Sequence, residues 1–229
     1  MSTFKKMFYP VIHCIDTRDE RAINHALENA RIAKEFGADG VFLIGHEICY
    51  SFLIDIYEGV RSQAPDLWIG INFLDISYEE NWNRISRVAG GCTKLNALWI
   101  DGMPKEKLFL SEKIQVFGGV AFKYMDPHLK GENLKTACKE AMKIVDVITT
   151  SGDRTGSAPD ILKLKSIKKY LGGKVPLALA SGVNTDNVLS FIEYVDIFLV
   201  ASSICESIPS RGEYLVPEKV RELARLIHV

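Results

Sequence analysis

Short apolar runs alternate with longer amphipathic segments along the chain, which has 229 residues. The apolar runs predict β-strands, and the segments whose apolar residues recur at helical spacing predict helices. The predicted strands are 9–16, 39–45, 67–74, 97–101, 115–123, 146–151, 176–180 and 197–201. The predicted helices are 19–36, 48–63, 77–89, 133–145, 159–171, 184–193 and 217–227, with a truncated one at 105–112.

Eight consecutive strand–helix units with short connections and no Pro/Ser-rich linker predict one closed parallel barrel. A doubly wound open sheet is the alternative fold. It would need a Gly-x-Gly-x-x-Gly turn after the first strand, but residues 16–19 read Asp-Thr-Arg-Asp. We therefore expect a single α/β domain over residues 1–229, a (β/α)8 TIM barrel of the phosphate-binding type.

Composition narrows the choice of partners and compartment. A hydrophobic content of 47% is enough for a sizeable core, and a net charge of −1 offers no field that would attract nucleic acid or an anionic membrane. The five cysteines are scattered without a Cys-x-x-Cys pair, which predicts neither disulfides nor a zinc knuckle. No apolar run approaches the roughly 20 residues that cross a bilayer. We expect a cytoplasmic protein without a cofactor, nucleic-acid partner or membrane insertion; homo-oligomerization stays open.

Two predicted strands near the C-terminus end in small residues. Strand 176–180 runs into Ser181, Gly182 and Val183, and strand 197–201 runs into Ser202 and Ser203. Small residues let backbone N–H groups approach an anion, and a following helix start adds unpaired donors. This layout is typical of the phosphate loops after strands 7 and 8 of a TIM barrel, although ordinary short turns are the alternative.

Polar residues at the other strand ends converge on the same mouth of the predicted barrel. Lys123 could transfer a proton, form a Schiff base or bind a substrate oxyanion, and a salt bridge to Asp101 is its structural alternative. Asp101 is either a general base or the partner of Lys123. Asn72 is either a group that orients a substrate carbonyl or hydroxyl, or a satisfied core amide. These three residues are the catalytic candidates.

A metal site is a weaker hypothesis for the same mouth. His13 and His46 would be its nitrogen ligands, with Asp16, Glu47 or Asp101 supplying oxygens. No His-x-His or His-Glu-x-x-His spacing is present, and strand-end histidines are more often structural. We therefore predict no metal and keep His13, Asp16, His46 and Glu47 as further residues of the mouth.

The loop after the sixth predicted strand is dense in glycine and hydroxyl residues. It consists of Ser151, Gly152, Asp153, Arg154, Thr155 and Gly156. Asp153 could bind a sugar hydroxyl and Arg154 an anionic group, while a flexible turn is the alternative. Because this loop would lie beside the Ser181–Gly182 loop in a barrel, the two together favour an anion site.

Several segments resemble the BtpA family, which consists of barrel proteins named for an accessory role in photosystem I biogenesis, with relatives encoded among sugar-metabolism genes. These segments are Gly-Ile-Asn-Phe-Leu (70–74), Phe-Gly-Gly-Val-Ala-Phe-Lys (117–123), Asp-Val-Ile-Thr-Thr-Ser-Gly-Asp-Arg-Thr-Gly (146–156), Pro-Asp (159–160), Ala-Ser-Gly-Val-Asn-Thr-Asp-Asn-Val (180–188) and Val-Asp-Ile-Phe-Leu-Val-Ala-Ser-Ser (195–203). The chain has His46-Glu47 where the family has a Glu-Asn pair, and Lys123-Tyr124 where the family has Lys-His. The resemblance implies a phosphate-binding-type barrel and no specific reaction.

Three functions follow as hypotheses. The first is an enzyme that acts on a small phosphorylated metabolite, a sugar phosphate or a nucleotide-like compound, in an isomerase, lyase or aldolase-like step. The second is a non-catalytic assembly or regulatory protein, which predicts an exposed apolar patch away from the mouth. The third is a metal-assisted hydrolase.

Overall fold

A computed structural model describes residues 4–45, 50–74, 95–104, 114–123 and 125–229. Eight parallel strands form a closed barrel in which each strand pairs with the next and the eighth pairs with the first, so the predicted fold is confirmed. The strands are β1 (Met7–Cys14), β2 (Val41–Gly45), β3 (Ile69–Phe73), β4 (Ala97–Ile100), β5 (Gln115–Gly119), β6 (Val147–Ser151), β7 (Leu177–Ala180) and β8 (Ile197–Val200).

The helices pack around this barrel. They are α1 (Glu20–Glu35), α2 (Tyr50–Gln63), α3 (Gly131–Ala141), α4 (Ile161–Leu171), α5 (Val188–Phe191) and α6 (Pro217–Ile227). Helix α6 has its predicted bounds and begins at a proline, whose fixed φ suits the first helical turn. The predicted helices 77–89 and 105–112 lie outside the described residues. None of the helices in the described ranges combines the length and the hydropathy needed to cross a membrane.

Aromatic side chains fill the inside of the barrel. They are Tyr9, Phe42, Trp68, Trp99, Phe117 and Phe122. Tyr9 stacks on Trp68 with ring centroids 4.2 Å apart, and Phe42 meets Trp68, Trp99 and Phe117 edge to face. A Cβ at Gly70 would lie 2.2 Å from the Phe42 ring, so glycine makes room for this packing. The aromatic filling leaves the open space at the C-terminal ends of the strands.

At the N-terminal end of the barrel, polar side chains accept hydrogen bonds from backbone amides near the start of alternate strands. Phe8 N donates to Asp39 Oδ2 at 2.8 Å, Ile69 N to Asn96 Oδ1 at 2.8 Å, Val116 N to Asp146 Oδ2 at 2.8 Å, and Leu177 N to Asp196 Oδ2 at 3.0 Å. Each acceptor stands just before an even-numbered strand and binds the preceding odd-numbered strand. The strand pairs β1–β2, β3–β4, β5–β6 and β7–β8 are therefore each joined by the same kind of hydrogen bond. These bonds lie at the N-terminal end of the barrel, whose residues serve stability in this fold.

A small antiparallel hairpin after β8, formed by β9 (Cys205–Ile208) and β10 (Gly212–Leu215), was not predicted from the sequence. Helix α1 packs against it through His25, which is buried. The ring Nε2–H of His25 donates to the Glu213 carbonyl at 2.7 Å, because a carbonyl can only accept. Asn29 Oδ1 accepts from Leu215 N at 2.7 Å. These bonds fix the hairpin to α1.

The buried His25 makes the stability of the protein dependent on pH. Burial lowers the pKa of His25 below its ordinary value of 6.5. As the pH falls below about 6.5, the unfolded chain binds a proton before the folded chain does, so the stability that neutral His25 provides is lost towards its lowered pKa. We expect urea unfolding curves to show a free energy of unfolding that falls by up to about 1.4 kcal/mol per pH unit more in the wild type than in His25→Phe. Parallel pH profiles of the two proteins would contradict this assignment.

Candidate functional site

A cavity of about 550 Å³ opens at the C-terminal end of the barrel. Its floor consists of apolar side chains from five strands, Val11, Ile44, Trp99, Ala180 and Leu199. Polar residues among its lining are His13, Asp101, Lys123, Thr155, Ser181, Asn184, Ser202 and Ser203. The structure thus brings His13, Asp101, Lys123 and both small-residue loops to one mouth, as a parallel barrel requires.

The loop after β7 has an unusual backbone. Ser181 and Gly182 both have positive φ, of 81° and 72°. A Cβ on Gly182 would lie 2.2 Å from Ala158 N, so only glycine fits beside the loop that follows β6. Within the described ranges, no intramolecular hydrogen bond occupies the amides of Gly182, Val183 or Ser202. These backbone donors border the cavity and can bind a ligand there.

Two asparagines form hydrogen bonds at the end of this loop, where the sequence predicts a helix over 184–193. Asn184 Oδ1 accepts from the amides of Asp186 and Asn187 at 3.0 Å, and Asn187 Oδ1 accepts from Asn184 N at 2.9 Å. The Asn187 amide also donates to the Gly182 carbonyl at 2.8 Å. Acceptance from the second and third amides that follow is the pattern of a helix N-cap, and Val188 N donates to the Asn184 carbonyl at 3.0 Å. The helix predicted near 184–193 is therefore present but shorter, as α5.

The two small-residue loops are joined to each other. Ser203 Oγ donates to the Val183 carbonyl at 2.6 Å. Ser202 is exposed at the rim, at the start of the short 3-10 helix Ser202–Ile204. The bond between Ser203 and Val183 keeps the loops after β7 and β8 side by side, so that their backbone donors border the same part of the cavity.

Asp101 lies on the opposite side of the mouth, directly after β4. Asn72 Nδ2 donates to Asp101 Oδ1 at 3.0 Å. Asn72 is 2% exposed, whereas Asp101 is half-buried and lines the cavity. A Cβ on Gly119 would lie on top of the Asp101 carbonyl, so β5 passes very close to this residue. The amide therefore orients the carboxylate, and Asp101 is the member of this pair that lines the cavity.

Lys123 does not lie on a strand, because β5 ends at Gly119. The chain turns after it through Ala121, whose φ is 48°. Lys123 N then donates to Ser151 Oγ at 2.7 Å, and Lys123 Nζ donates to Thr155 Oγ1 at 3.3 Å in an exposed contact. Lys123 consequently lies at the rim of the cavity, and the prediction that the fifth strand extends to residue 123 was wrong.

A second lysine near this turn was missed by the sequence analysis. Lys163 Nζ, from the first turn of α4, donates to the carbonyls of Ala121 at 2.5 Å and Ser151 at 2.8 Å. Burial lowers the pKa of Lys163 to about 8, although the charge of Asp153 acts in the opposite direction. Lys163 thereby ties together the ends of β5 and β6, which carry Lys123 and its partners. No motif in the sequence marks it, because its acceptors are backbone carbonyls.

Only two of the six candidate residues in the loop after β6 line the cavity. Thr155 and Gly156 line the cavity, but Asp153 and Arg154 are exposed and are not among the lining residues. Asp153 lies 3.7 Å from His128 Nδ1. Ser151 and Gly152 are buried, and a Cβ on Gly152 would lie 2.0 Å from the Ser157 carbonyl.

The remaining candidates of the mouth divide into three groups. His13 lines the cavity, whereas Asp16 is 3.4 Å from Arg18 and is not a lining residue. His46 and Glu47 lie outside the described residues. Across the part of the chain that the structure describes, no three His, Cys, Asp or Glu side chains are grouped as a metal site requires.

Comparison with known proteins identifies the family. The profile of the BtpA family matches residues 99–228, which is more than half of the chain. The chain belongs to the BtpA family. An uncharacterized protein of Methanocaldococcus jannaschii is 32% identical to this BtpA-family protein over 216 residues, which cover 84% of this chain and 80% of the archaeal one.

Two solved structures that this chain resembles are enzymes named for phosphorylated compounds. Thiamine phosphate pyrophosphorylase from Pyrococcus furiosus matches with a TM-score of 0.64 and 15% identity, covering 97% of this chain and 95% of that chain. Phosphoribosyl anthranilate isomerase from Thermotoga maritima matches with a TM-score of 0.63 and 19% identity, covering 96% of this chain and 98% of that chain. At these identities the likeness establishes the TIM-barrel fold alone.

Proposed function

We propose that this BtpA-family barrel is an enzyme that acts on a small phosphorylated metabolite. One observation carries the proposal: the amides of Gly182, Val183 and Ser202, which form no hydrogen bond with the part of the chain that the structure describes, border the same cavity as Asp101 and Lys123. Backbone donors next to small residues suit a phosphate group, and a carboxylate and an ammonium group at the other side suit proton transfer and charge stabilization.

Each residue has a role in this proposal. The amides of the loops after β7 and β8 bind the phosphate, while Asn72 positions the carboxylate of Asp101 for proton transfer. Lys123, held at the rim by Thr155, stabilizes negative charge that develops on the substrate. This combination supports an isomerase, lyase or aldolase-like step, in which a proton moves next to a polarized carbonyl.

The phosphate site is tested by placing a negative charge in it. Ser202→Asp adds a carboxylate at the exposed start of the 3-10 turn, where it would repel a bound phosphate. We expect its affinity for inorganic phosphate, measured by calorimetric titration, to fall at least about tenfold, or about 1.4 kcal/mol.

Ser62→Asp is the matched control, because Ser62 is exposed near the end of α2, at the opposite end of the barrel. It adds the same charge to the protein and is expected to bind phosphate as the wild type does. A wild type that does not bind phosphate, or an equal loss in both variants, would exclude the proposed site.

The non-catalytic alternative depends on exposed apolar surface. Among the described residues, the large apolar side chains that are exposed are Met125, Ile161, Leu162, Leu189 and Val229. Only Ile161 and Leu162 are neighbours in sequence, at the start of α4. We favour the enzyme because the observation that supports it, the geometry of the mouth, lies among the described residues.

A further inference from the structure

Lys163 occupies a position that does not favour its own helix. It lies in the first turn of α4, whose N-cap is Asp160. The N-terminal end of a helix carries the positive end of the helix dipole, so an ammonium group there is destabilizing. The side chain is also partly buried, and burial lowers the pKa of Lys163 to about 8. The contacts of Lys163 outside the helix must therefore explain its place.

Those contacts are with two backbone carbonyls beside the mouth of the barrel. Lys163 Nζ donates to the Ala121 carbonyl at 2.5 Å and to the Ser151 carbonyl at 2.8 Å. The Ala121 carbonyl also accepts from Thr150 Oγ1 at 3.3 Å. Because an ammonium group has N–H donors and no acceptor, it is suited to hold two carbonyls side by side. Lys163 thus joins the turn after β5 to the end of β6.

The turn after β5 requires such support. Ala121 has a φ of 48°, in the left-handed region that costs free energy for a residue other than glycine. A strained backbone of this kind persists where neighbouring groups hold it, and it is frequent at functional sites. Two residues later, Lys123 N donates to Ser151 Oγ at 2.7 Å. Ala121 and Ser151, whose carbonyls Lys163 binds, therefore fix the backbone of Lys123.

Lys123 connects this turn to the cavity. Lys163 is not among the lining residues, whereas Lys123 is, and Lys123 Nζ donates to Thr155 Oγ1 at 3.3 Å at the rim. A displacement of the turn would move this ammonium group relative to a bound ligand, and the interaction between two charges weakens as their distance grows. Any effect of Lys163 on the ligand thus passes through the position of Lys123.

We infer that Lys163 is a positioning residue of the site, which holds the strained turn at Ala121 and thereby keeps the Lys123 ammonium group against the substrate. The inference rests on the proposed function, in which Lys123 stabilizes negative charge on a phosphorylated substrate. The phosphate itself is bound by the loops after β7 and β8. Loss of Lys163 is therefore expected to weaken the binding of a second negative group and to leave the binding of phosphate unchanged.

Compounds that join a phosphate to a carboxylate test the inference, since the carboxylate represents the charge that develops on the substrate. Phosphonooxyacetate, 3-phosphonooxypropanoate and 4-phosphonooxybutanoate form a series in which the distance between the two groups increases. We expect the tightest-binding member to bind wild-type protein at least about fivefold more tightly than inorganic phosphate in calorimetric titrations near pH 7. Lys123→Met is expected to abolish this preference.

Lys163→Met is expected to abolish the preference as well, with the affinity for inorganic phosphate unchanged. Lys163→Arg keeps a charged donor for the two carbonyls and is expected to retain the preference. In a Lys123→Met background, Lys163→Met is expected to have no further effect, because both changes act on the same ammonium group. Lys165→Met is the matched control, since it removes the same charge from an exposed position of α4 and is expected to bind as the wild type does.

Thr150→Val removes only the second hydrogen bond to the Ala121 carbonyl and is expected to reduce the preference; it serves if Lys163→Met does not fold. Retention of the preference by Lys163→Met, or by Thr150→Val in its place, would overturn the inference. An equal loss in Lys165→Met, a further loss in the double variant, or a wild type that binds inorganic phosphate without preferring any member of the series would also overturn it. A wild type that binds neither inorganic phosphate nor the series would overturn the proposed function itself.

Discussion

Replacement of Asp196 by alanine is expected to lower the free energy of unfolding by about 3–5 kcal/mol. Asp196 is fully buried. Its Oδ2 accepts from Leu177 N at 3.0 Å and from Lys168 Nζ at 2.5 Å, and its Oδ1 lies 3.5 Å from Lys6 Nζ. Without the carboxylate, the Leu177 amide is left unsatisfied in the interior and two lysines face each other without the charge between them. Urea unfolding monitored by circular dichroism measures the change.

Two further variants separate the parts of this effect. Asp196→Asn keeps an acceptor for Leu177 N but removes the charge, so its cost is expected to lie between those of the wild type and Asp196→Ala. Asp39→Ala removes the equivalent hydrogen-bond acceptor of Phe8 N. Lys5 and His228, the side chains that contact the Asp39 carboxylate, are at least partly exposed, so the loss is expected to be closer to about 1–2 kcal/mol. An equal loss at Asp39 and Asp196 would show that burial of the ion pairs does not decide the cost.

The barrel could be predicted from the sequence because the same strand–helix pattern recurs along the chain. Eight apolar runs and the amphipathic segments between them each carry a weak signal, and together they predict a parallel sheet that the absence of a Gly-x-Gly-x-x-Gly turn assigns to a closed barrel. The start of a helix could also be predicted where one residue decides it. At α6 that residue is Pro217, which a helix accommodates only in its first turn. The four hydrogen bonds at the N-terminal end could not be predicted, because their acceptors have the sequence pattern of ordinary loop residues and only the pairing of the strands brings them to the amides.

The errors occurred where tertiary contacts override local preference. The hairpin β9–β10 has short strands with exposed polar residues, and it is held by His25 and Asn29, which lie far from it in sequence. The strand predicted to reach Lys123 ends at Gly119, because the chain is held in a left-handed turn at Ala121. Lys163 stabilizes that turn through carbonyl oxygens, which leave no pattern in the side-chain sequence.

The candidate site was therefore predictable as a set of positions and not as a set of contacts. The parallel barrel brings strand ends together, so Asp101 and the small-residue loops were expected at one mouth before any distance was known. Whether Asn72 orients a substrate or Asp101 depends on a single 3.0 Å bond, which only the structure shows. Exposure of Asp153 and Arg154 likewise depends on how the loop after β6 folds over Gly152 and Gly182.

Replacement of Gly182 by alanine is expected to weaken phosphate binding at least about tenfold, or about 1.4 kcal/mol. The added Cβ would lie 2.2 Å from Ala158 N and 2.4 Å from the Ser157 carbonyl carbon, and both neighbours are backbone atoms that cannot rotate away. The loop after β7 must therefore shift, and with it the amides of Gly182 and Val183. Calorimetric titration with inorganic phosphate measures the loss of affinity.

Gly172→Ala is the matched control for this change. Gly172 has a left-handed φ of 57°, and nothing lies within 4 Å of an added Cβ. An alanine there has the same kind of backbone strain, worth about 1 kcal/mol of stability, without a steric clash and at the end of α4. If loop geometry holds the phosphate, Gly172→Ala lowers stability but leaves phosphate affinity unchanged, whereas Gly182→Ala lowers both. Wild-type affinity in Gly182→Ala would mean that the phosphate is bound elsewhere, because no arrangement of this loop keeps its amides in place around the added carbon.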